Sequence, residues 1–371
     1  MIPLFKVFMA DTVVKEMEKV LYSGYIGEGA KVIEFEKLVS EKLGNPLCLY
    51  VNSGTSALHL AYQLCVNGEE KNPDPESVIL VPSTTCTATI TPILANHVKL
   101  RWVDIDPLTG NIDPIDLERK ICKNTKAVCV VHWGGSPCNL EKINKIAKKY
   151  NIRVVEDGAH CWGTKYKNSY LGNFSDFTTF SLQAIKHINS IDGGFLFCKN
   201  KDEYDKLKLI RWFGIDRYDN REKKDLRCEN DIIYRGGKWQ SNDVSAVVGI
   251  ENFKHLDWIL SRHRENASVY NEIFKGKIKT QSILNTAESS YWLYTIFCEN
   301  RDELLEKLKE NGIMSSKVHN NNHQHTVFKN FFSNLPGSDE FFRTHLCIPV
   351  NWSVSVEQIE FVAKKVLEFA K

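Results

Sequence analysis

The chain has 371 residues and a formal net charge of +2, from 48 lysines and arginines against 46 aspartates and glutamates. This length predicts two domains, or one large domain with an appendage, and the charge balance argues against broad attraction to nucleic acid or to an anionic membrane. No stretch approaches the roughly 20 apolar residues that span a bilayer, and residues 1–8 are too short and interrupted for a signal peptide. The 11 cysteines are scattered singly without metal-site spacing, so we expect reduced thiols, no metal site and a cytoplasmic protein.

The first part of the chain alternates apolar strands with amphipathic helices. After a predicted helix at 11–21, strands are expected at 47–51, 78–81, 98–103, 127–132, 152–156, 177–180 and 195–198, and further helices at 35–43, 57–66 and 140–150. This alternation is typical of an α/β fold with a mostly parallel sheet wrapped by helices. From about residue 255 a long helix, short strands and a terminal helix indicate a smaller α+β domain. The predicted domains are therefore residues 1–254 and 255–371.

The turn Ser53-Gly54-Thr55-Ser56 lies between the first of these strands and its helix. A glycine turn with hydroxyls at a helix start suits a phosphate, because unpaired N–H groups and the helix dipole both favour an anion. Serine and threonine also cap helices in many proteins, so ordinary capping is the alternative. The segment 236–243, Gly-Gly-Lys-Trp-Gln-Ser-Asn-Asp, precedes another helix and is either a second anion site or a simple capped loop.

Two further residues point to covalent chemistry. Asp157 follows the apolar strand at 152–156, and ligands of open α/β sheets lie beyond the strand carboxyl ends; capping of the next turn is the alternative role. Lys186 lies in an uncharged, partly apolar loop, where desolvation would lower its pKa and make its amine a usable nucleophile, although most lysines are solvated surface groups. A phosphate cup, a strand-end acid and a sheltered lysine together are what pyridoxal 5'-phosphate requires.

With these motifs in this order, the sequence resembles the DegT/DnrJ/StrS-type aminotransferases, which use pyridoxal phosphate to aminate keto-sugar nucleotides. The matching segments are 24–27, 35–36, 52–58, 81–89, 156–160, 181–186, 312–313 and 348–350. The resemblance implies the aspartate-aminotransferase fold (fold type I), with a large cofactor-binding domain and a smaller C-terminal α+β domain. It also implies a homodimer whose active sites are shared across the interface.

The resemblance implies roles for single residues as well. Lys186 matches the lysine that forms a Schiff base with the cofactor, Asp157 matches the partner of the pyridine nitrogen, and His160 matches the contact to the ring hydroxyl. The other expected cofactor-binding residues, which would hold the phosphate or face the ring, are Gly54, Thr55, Ser56, Cys86, Ser181, Gln183 and Lys238.

Three positions bear on how far the resemblance extends. Cys86 stands where family members carry an aromatic residue stacked on the cofactor, so we expect either that Trp133 or another residue stacks there, or that cofactor affinity is weaker. Lys238 stands where the family has an asparagine that reaches the neighbouring subunit's phosphate, and a lysine can contact phosphate as a point charge. Lys186 is retained where related sugar dehydratases carry histidine, which favours transamination.

Four residues are candidates for substrate binding. Arg211 and Arg217 could hold a carboxylate or phosphate bidentately, with surface ion pairing as the alternative. His319 and His323 belong to the run His-Asn-Asn-Asn-His-Gln-His, which has no evident fourth metal ligand. This run matches the family's acceptor-side loop, and we expect it to hydrogen-bond a phosphorylated substrate.

The resemblance therefore implies an aminotransferase that moves an amino group from L-glutamate, or glutamine, to the keto sugar of a nucleotide-sugar in polysaccharide biosynthesis. The resemblance implies ping-pong steps in which pyridoxamine 5'-phosphate is the intermediate form of the cofactor. Two alternatives keep the cofactor: an acceptor that is a small phosphorylated ketone, and a deoxysugar dehydratase. A non-catalytic regulatory protein is disfavoured, because no DNA-binding module is recognisable and both Lys186 and Asp157 are present.

Overall fold

The computed structural model describes residues 1–67, 73–217 and 231–371, and a seven-stranded sheet forms its centre. The strands of this sheet are β1 (Cys48–Val51), β2 (Val78–Pro82), β3 (Lys99–Val103), β4 (Thr125–Val131), β5 (Arg153–Asp157), β8 (Phe177–Ser181) and β9 (Gly194–Cys198). They are ordered β1-β9-β8-β5-β4-β2-β3, and β9 alone runs against its neighbours in this sheet. The prediction of an α/β fold with a mostly parallel sheet is confirmed.

Helices cover both faces of the central sheet. Those before the last strand of the sheet are α1 (Val13–Leu21), α2 (Ala30–Leu43), α3 (Gly54–Asn67), α4 (Thr87–Ala95), α5 (Pro114–Lys120) and α6 (Leu140–Tyr150); α7 (Lys201–Ile210) and α8 (Asp243–Phe253) follow it. Successive strand residues point to opposite faces, and so Tyr50 and Leu80 pack in one apolar cluster while Leu49 and Ile79 pack in another. Strands covered on both faces read as continuous apolar runs, which explains why they were recognisable in the sequence.

A second, antiparallel sheet follows in the C-terminal part of the chain. It contains β10 (Lys279–Thr280), β12 (Tyr294–Phe297) and β13 (His345–Ile348), and it packs with α9 (Leu256–Phe274), α10 (Arg301–Glu310), α11 (Pro336–Thr344) and α12 (Val356–Phe369). Three short strands, β6 (Lys165–Tyr166), β7 (Ser169–Tyr170) and β11 (Ala287–Glu288), form a third sheet.

The predicted boundary near residue 255 falls just before a helix that contacts both parts of the molecule. Leu260 in α9 belongs to an apolar cluster of the central sheet, whereas Tyr270 belongs to the cluster of the second sheet. Ile2 also packs in that second cluster, and it exchanges backbone hydrogen bonds with Gly312 and Met314. The division into residues 1–254 and 255–371 stays a prediction.

All ten cysteines within the described residues are free. In the same part of the chain, no helix has the length and apolar character needed to cross a membrane.

Candidate active site

Four strand ends meet at one edge of the central sheet. β1, β2, β5 and β8 run in the same direction, so their carboxyl ends lie at the same edge. Ser53 follows β1, Cys86 lies beyond β2, and Asp157 and Ser181 end β5 and β8. Lys186 lies in the loop between β8 and β9, at this same edge of the sheet.

These residues line a cavity of about 820 Å³. Eight of the ten predicted cofactor-binding residues line it: Gly54, Thr55, Cys86, Asp157, His160, Ser181, Gln183 and Lys186. Of the predicted substrate-binding residues, the cavity includes His319. The strand ends and the C-terminal part packed onto them thus bring together residues that are up to 265 positions apart in the sequence, from Gly54 to His319.

The Lys186 amine lies against an aromatic ring, with Nζ 3.8 Å from the ring centroid of Trp292. No described carboxylate forms an ion pair with Lys186. Burial lowers the pKa of Lys186 to about 8, and the nearby Asp157 carboxylate opposes only part of that shift. A lysine with such a pKa exists in both protonation states near neutral pH, so its amine can act as a nucleophile and can take up and return a proton.

Asp157 is a buried carboxylate with two hydrogen-bond donors already in place. The Thr89 hydroxyl donates to Oδ2 at 2.7 Å, and the Ala159 N–H donates to Oδ1 at 3.0 Å. Thr89 is itself paired with Thr85 through their hydroxyls, at 2.8 Å. These contacts fix the orientation of the carboxylate and leave it an acceptor that can receive a further donor from the cavity.

His160 lies in a stack of three rings. Its ring centroid is 3.9 Å from that of Trp292, and Phe5 stacks on Trp292 at 4.8 Å. The Trp292 indole N–H donates to the carbonyl of Ile185 at 3.0 Å, which connects the stack to the residue before Lys186. Burial, and next the charge of Lys186, hold the pKa of His160 well below its usual range, and its buried Nδ1 has no partner among the described residues.

The turn after β1 lies so close to β8 and β9 that Gly54 and Gly194 have no room for a side chain. A Cβ atom at Gly194 would lie 2.6 Å from the backbone nitrogen of Gly54, and a Cβ at Gly54 would lie 3.1 Å from Cβ of Ser181. The Ser53 hydroxyl accepts the N–H of Ser56 at 3.0 Å and so caps the start of α3. Gly54 and Thr55 remain at the cavity, where the first N–H groups of a helix favour an anion.

A model of the DegT/DnrJ/EryC1/StrS aminotransferase family matches residues 8–367 of the chain. The chain belongs to this family.

Individual relatives agree with this assignment. UDP-4-amino-4,6-dideoxy-N-acetyl-beta-L-altrosamine transaminase from Campylobacter jejuni is 31% identical over 365 residues, covering 95% of this chain and 92% of that protein. The crystal structure of the sugar aminotransferase CalS13 from Micromonospora echinospora matches with a TM-score of 0.93 and 33% identity, over 99% of this chain and 100% of that one. The PLP form of Spr1654 from Streptococcus pneumoniae matches with a TM-score of 0.88 and 25% identity, over 99% and 98%. The family match and these similarities confirm the predicted fold and the prediction that the chain is a pyridoxal-phosphate-dependent aminotransferase.

The cavity of this aminotransferase has the chemistry that pyridoxal phosphate needs. Lys186 supplies an amine without an ion-pair partner among the described residues, and Asp157 supplies an oriented carboxylate. The start of α3 supplies N–H groups at the cavity, where Gly54 and Thr55 line it. The unpaired Nδ1 of His160 requires a partner, because buried polar atoms are normally hydrogen-bonded. The residues present therefore fit the cofactor.

The prediction that Arg211 binds substrate is wrong, because its guanidinium is enclosed elsewhere. Arg211 is 1% exposed and donates to Glu28 Oε1 at 2.7 Å, to Glu36 Oε1 at 2.6 Å and to the carbonyl of Tyr50 at 2.9 Å. Arg217 donates to Glu28 Oε2 at 3.1 Å. Both arginines line a different cavity of about 860 Å³, so the structure does not bring Arg217 to Lys186 either.

His323 is also absent from the lining of the active-site cavity, in contrast to the prediction. It is 3% exposed, and its Nδ1 lies 2.7 Å from Oγ of Ser83. Ser83 follows β2, and so His323 holds the loop after that strand against the segment at 321–325. Its role in this fold is structural.

Two of the predicted cofactor-binding residues, Ser56 and Lys238, do not line the active-site cavity. The Ser56 hydroxyl is directed to Asn52 Oδ1 at 2.6 Å and to Ser53 at 2.9 Å. Lys238 is exposed, with Nζ 5.8 Å from the ring centroid of Trp212. The role predicted for Lys238 concerns a neighbouring subunit, and it stays a prediction.

The segment 236–243 is a capped loop in this structure. Asn242 Oδ1 accepts the N–H of Ser245 at 2.9 Å and caps α8. Asp243 Oδ1 accepts the N–H groups of Gly29 at 2.8 Å and Val32 at 3.0 Å. A carboxylate therefore occupies the start of α2, and the capped loop is present; a second anion site at this segment, with Lys238, stays a prediction.

The most important residue missed from the sequence is Trp292. Trp133, which was considered as the stacking aromatic, is fully buried, donates to Thr295 Oγ at 3.2 Å and does not line the cavity. Trp292 takes the aromatic position beside Lys186 instead. The only signal for it in the sequence is an isolated tryptophan before a short strand, and nothing in that pattern separates a site residue from a core residue.

Proposed function

We propose that this aminotransferase transfers an amino group from L-glutamate, or glutamine, to the keto sugar of a nucleotide-sugar. The observation that carries the proposal is the Lys186 amine, of lowered pKa, in one cavity with the oriented Asp157 carboxylate. The similarity to a transaminase named for a UDP-linked 4-amino sugar supports a sugar attached to a nucleotide.

Each cavity residue has a distinct part in the proposed reaction. When bound, pyridoxal phosphate supplies an aldehyde that reacts with amines and a ring that accepts electrons. Lys186 would hold the cofactor through its amine and, once the donor's amine had released it, would take a proton from the donor's α-carbon and return it on the cofactor's side. Asp157 would keep a proton on the ring nitrogen.

The remaining residues hold the cofactor in place. The N–H groups of Gly54 and Thr55 at the start of α3 would bind the phosphate together with Ser181. His160, whose buried Nδ1 has no partner among the described residues, would contact the ring hydroxyl. Because the keto acid leaves before the ketone enters the same cavity, we expect ping-pong kinetics, with parallel double-reciprocal lines when both substrates are varied.

The donor half of the proposal is tested by absorbance spectroscopy. Protein loaded with pyridoxal phosphate is mixed with L-glutamate, and separately with L-glutamine, and the visible spectrum is followed together with the oxo acid formed. We expect loss of the bound cofactor's visible band in the wild type and no completed conversion in Lys186→Met. Lys364→Ala, which removes an exposed lysine of α12, is the matched control. An unchanged wild-type spectrum would count against the cofactor assignment.

The acceptor half is tested in the reverse direction. UDP-4-amino-4,6-dideoxy-N-acetyl-β-L-altrosamine and other nucleotide-linked amino sugars serve as amino donors to 2-oxoglutarate, and the L-glutamate formed is measured. Serinol phosphate, the amine counterpart of dihydroxyacetone phosphate, represents the phosphorylated-ketone alternative. We expect turnover with a nucleotide amino sugar; turnover with serinol phosphate alone would replace this acceptor class by the other.

We propose further that the enzyme is a homodimer and that it acts in the cytoplasm. Exposed large apolar side chains in the N-terminal part of the chain support the dimer, because exposed apolar surface often marks an interface. They include Val14, which is 79% exposed, and Tyr22, which is 85% exposed, with Leu21, Ile26 and Ile33 beside them in the sequence.

A further inference from the structure

Two buried threonine hydroxyls connect to the Asp157 carboxylate in series. The Thr89 hydroxyl donates to Asp157 Oδ2 at 2.7 Å, and Oγ1 of Thr85 lies 2.8 Å from Oγ1 of Thr89. A carboxylate only accepts, and a hydroxyl has a single proton to donate. The proton of Thr89 is therefore directed to Asp157, and the proton between the two threonines must come from Thr85.

These threonines lie at the start of α4, where their hydroxyls have a different use from capping. Thr89 is in the first turn of α4, and Thr85 lies two residues before the helix begins. Threonine hydroxyls at a helix start often cap its N–H groups. Among the described residues, the N-cap Cys86 forms no side-chain cap, and the two hydroxyls bond to each other and to Asp157. The hydroxyls therefore serve the carboxylate rather than the helix.

Neighbouring side chains hold both threonines in place. Asn322, which is buried, donates through Nδ2 to the carbonyl of Thr85 at 2.6 Å and to that of Ser83 at 2.9 Å. The buried Tyr62 hydroxyl donates to the carbonyl of Thr89 at 3.0 Å. Because the backbone of each threonine is anchored in this way, the two hydroxyls keep fixed positions on the wall of the active-site cavity.

The donors on Asp157 affect where a shared proton lies. In the proposed function, Asp157 and the ring nitrogen of the cofactor share one proton. Hydrogen bonds to the charged form of a carboxylate favour that form. The Thr89 hydroxyl and the Ala159 N–H therefore both oppose movement of the proton from the ring nitrogen to the carboxylate. Thr85 adds to this effect, because a hydroxyl that accepts a hydrogen bond becomes a stronger donor.

We propose that Thr89, supported by Thr85, is a positioning residue that keeps the shared proton on the ring nitrogen. Thr89 acts through Asp157, whose Oδ2 it orients and whose negative charge it stabilises. The inference rests on the proposed function, and specifically on the role proposed for Asp157. A protonated ring accepts electrons more readily than a neutral one, so the position of this proton determines how easily the amino donor loses its α-proton.

The protonation state of the ring nitrogen tests this directly. The protein is loaded with pyridoxal phosphate whose ring nitrogen is isotope-labelled, and magic-angle-spinning NMR distinguishes the protonated from the unprotonated ring. We expect a protonated signal in the wild type and in Thr89→Ser, and a shift toward the unprotonated signal in Thr89→Val. Thr85→Val should shift the signal in the same direction by less. Thr344→Val, which removes another buried hydroxyl that donates to a carbonyl, should match the wild type.

Cofactor binding and kinetics give a second readout of the same variants. Titration of the cofactor-free protein with pyridoxal phosphate should show binding that is about 10-fold weaker or more in Thr89→Val, because a hydrogen bond to a charged group is lost. We expect the L-glutamate half-reaction of this variant to slow while the KM for L-glutamate stays near the wild-type value, since Thr89 acts on the cofactor's partner and not on the donor. Thr89→Ser should recover both properties.

Thr89→Ala removes the same hydroxyl and is measured in place of Thr89→Val if that variant does not fold. A protonated wild-type signal that stays unchanged when the hydroxyl is removed would overturn the inference and leave the proposed function standing. An unprotonated wild-type signal would show that Asp157 does not have its proposed role, and the inference would fail with it.

Discussion

Lys186 and Arg211 are both sheltered cations, and they differ in what surrounds them. Arg211 donates to the carboxylates of Glu28 and Glu36, so its charge is compensated. Lys186 has an aromatic ring at 3.8 Å and no ion-pair partner among the described residues. Burial, which the Asp157 carboxylate opposes only in part, lowers the pKa of Lys186 to about 8, whereas Arg211 keeps its charge and its carboxylate partners fix its position.

The comparison shows that the identity of a buried cation and its partners together decide what it can do, because a guanidinium keeps its proton in proteins whereas an amine can lose it. A paired buried cation stabilises the arrangement of its partners and has no reactive lone pair. An unpaired buried amine is forced toward its neutral form, which is the form that attacks an aldehyde or takes a proton. The following predictions test whether Arg211 contributes to the stability of the fold and Lys186 to catalysis.

The largest expected effect is on activity, from Lys186→Met. We expect transamination to fall at least about 10²-fold, since the variant loses its nucleophile and its proton carrier. Stability of the cofactor-free protein should rise at pH 7 by about 1–3 kcal/mol, because the folded protein no longer holds an amine of lowered pKa.

The sign of that stability change depends on pH. Below pH 8 the Lys186 amine is protonated in both the folded and the unfolded protein. The lowered pKa therefore reduces the free energy of unfolding by its full amount in this pH range. Between pH 8 and the ordinary lysine value of 10.5 the unfolded chain binds more protons, so the cost declines as pH rises. Urea unfolding at pH 7 and pH 10 measures this. If Lys186→Met instead lost stability at pH 7, and the loss persisted at pH 10, the lowered pKa of Lys186 would be contradicted.

The next largest effect is on stability, from Arg211→Met. We expect a loss of about 3–5 kcal/mol, because Glu28 and Glu36 stay buried without their cation. Burial already raises the pKa of Glu36, and Arg211 opposes that rise. Arg217→Met, at a partly exposed side chain with one bond to Glu28, is the matched control and should cost about 0–1 kcal/mol. Equal losses in urea unfolding would show that the Arg211 cluster is not the structural element described.

The same contrast shows what could be predicted from the sequence. Asp157 and Lys186 were recognisable because each follows an apolar strand, and parallel strands bring their carboxyl ends to one edge. The partners of Arg211 lie 175 and 183 residues away, and no local pattern links such positions. Trp292 and His323 were missed or misplaced for the same reason, since their contacts form only when the C-terminal part packs onto the strand ends.

The smallest expected effect concerns the aromatic ring beside Lys186. Reaction of cofactor-free protein with pyridoxal phosphate needs the neutral amine, so its rate should rise with pH, reach half its limit near pH 8, the pKa of Lys186, and level off above that pH. An aromatic face stabilises an ammonium by about 0.5–2 kcal/mol, and more for tryptophan than for phenylalanine. In Trp292→Phe the midpoint should therefore move down by a fraction of a pH unit, since phenylalanine keeps most of the apolar volume.

Trp133→Phe is the matched substitution for this measurement. Trp133 is buried beside the cavity without lining it and donates to Thr295, so the variant should lose about 0.5–1.5 kcal/mol of stability and keep the wild-type midpoint. Stopped-flow absorbance from pH 6.5 to 9.5 resolves both curves. A midpoint that shifts equally in the two variants would mean that general loosening of the fold, and not the ring at 3.8 Å, controls the protonation of Lys186.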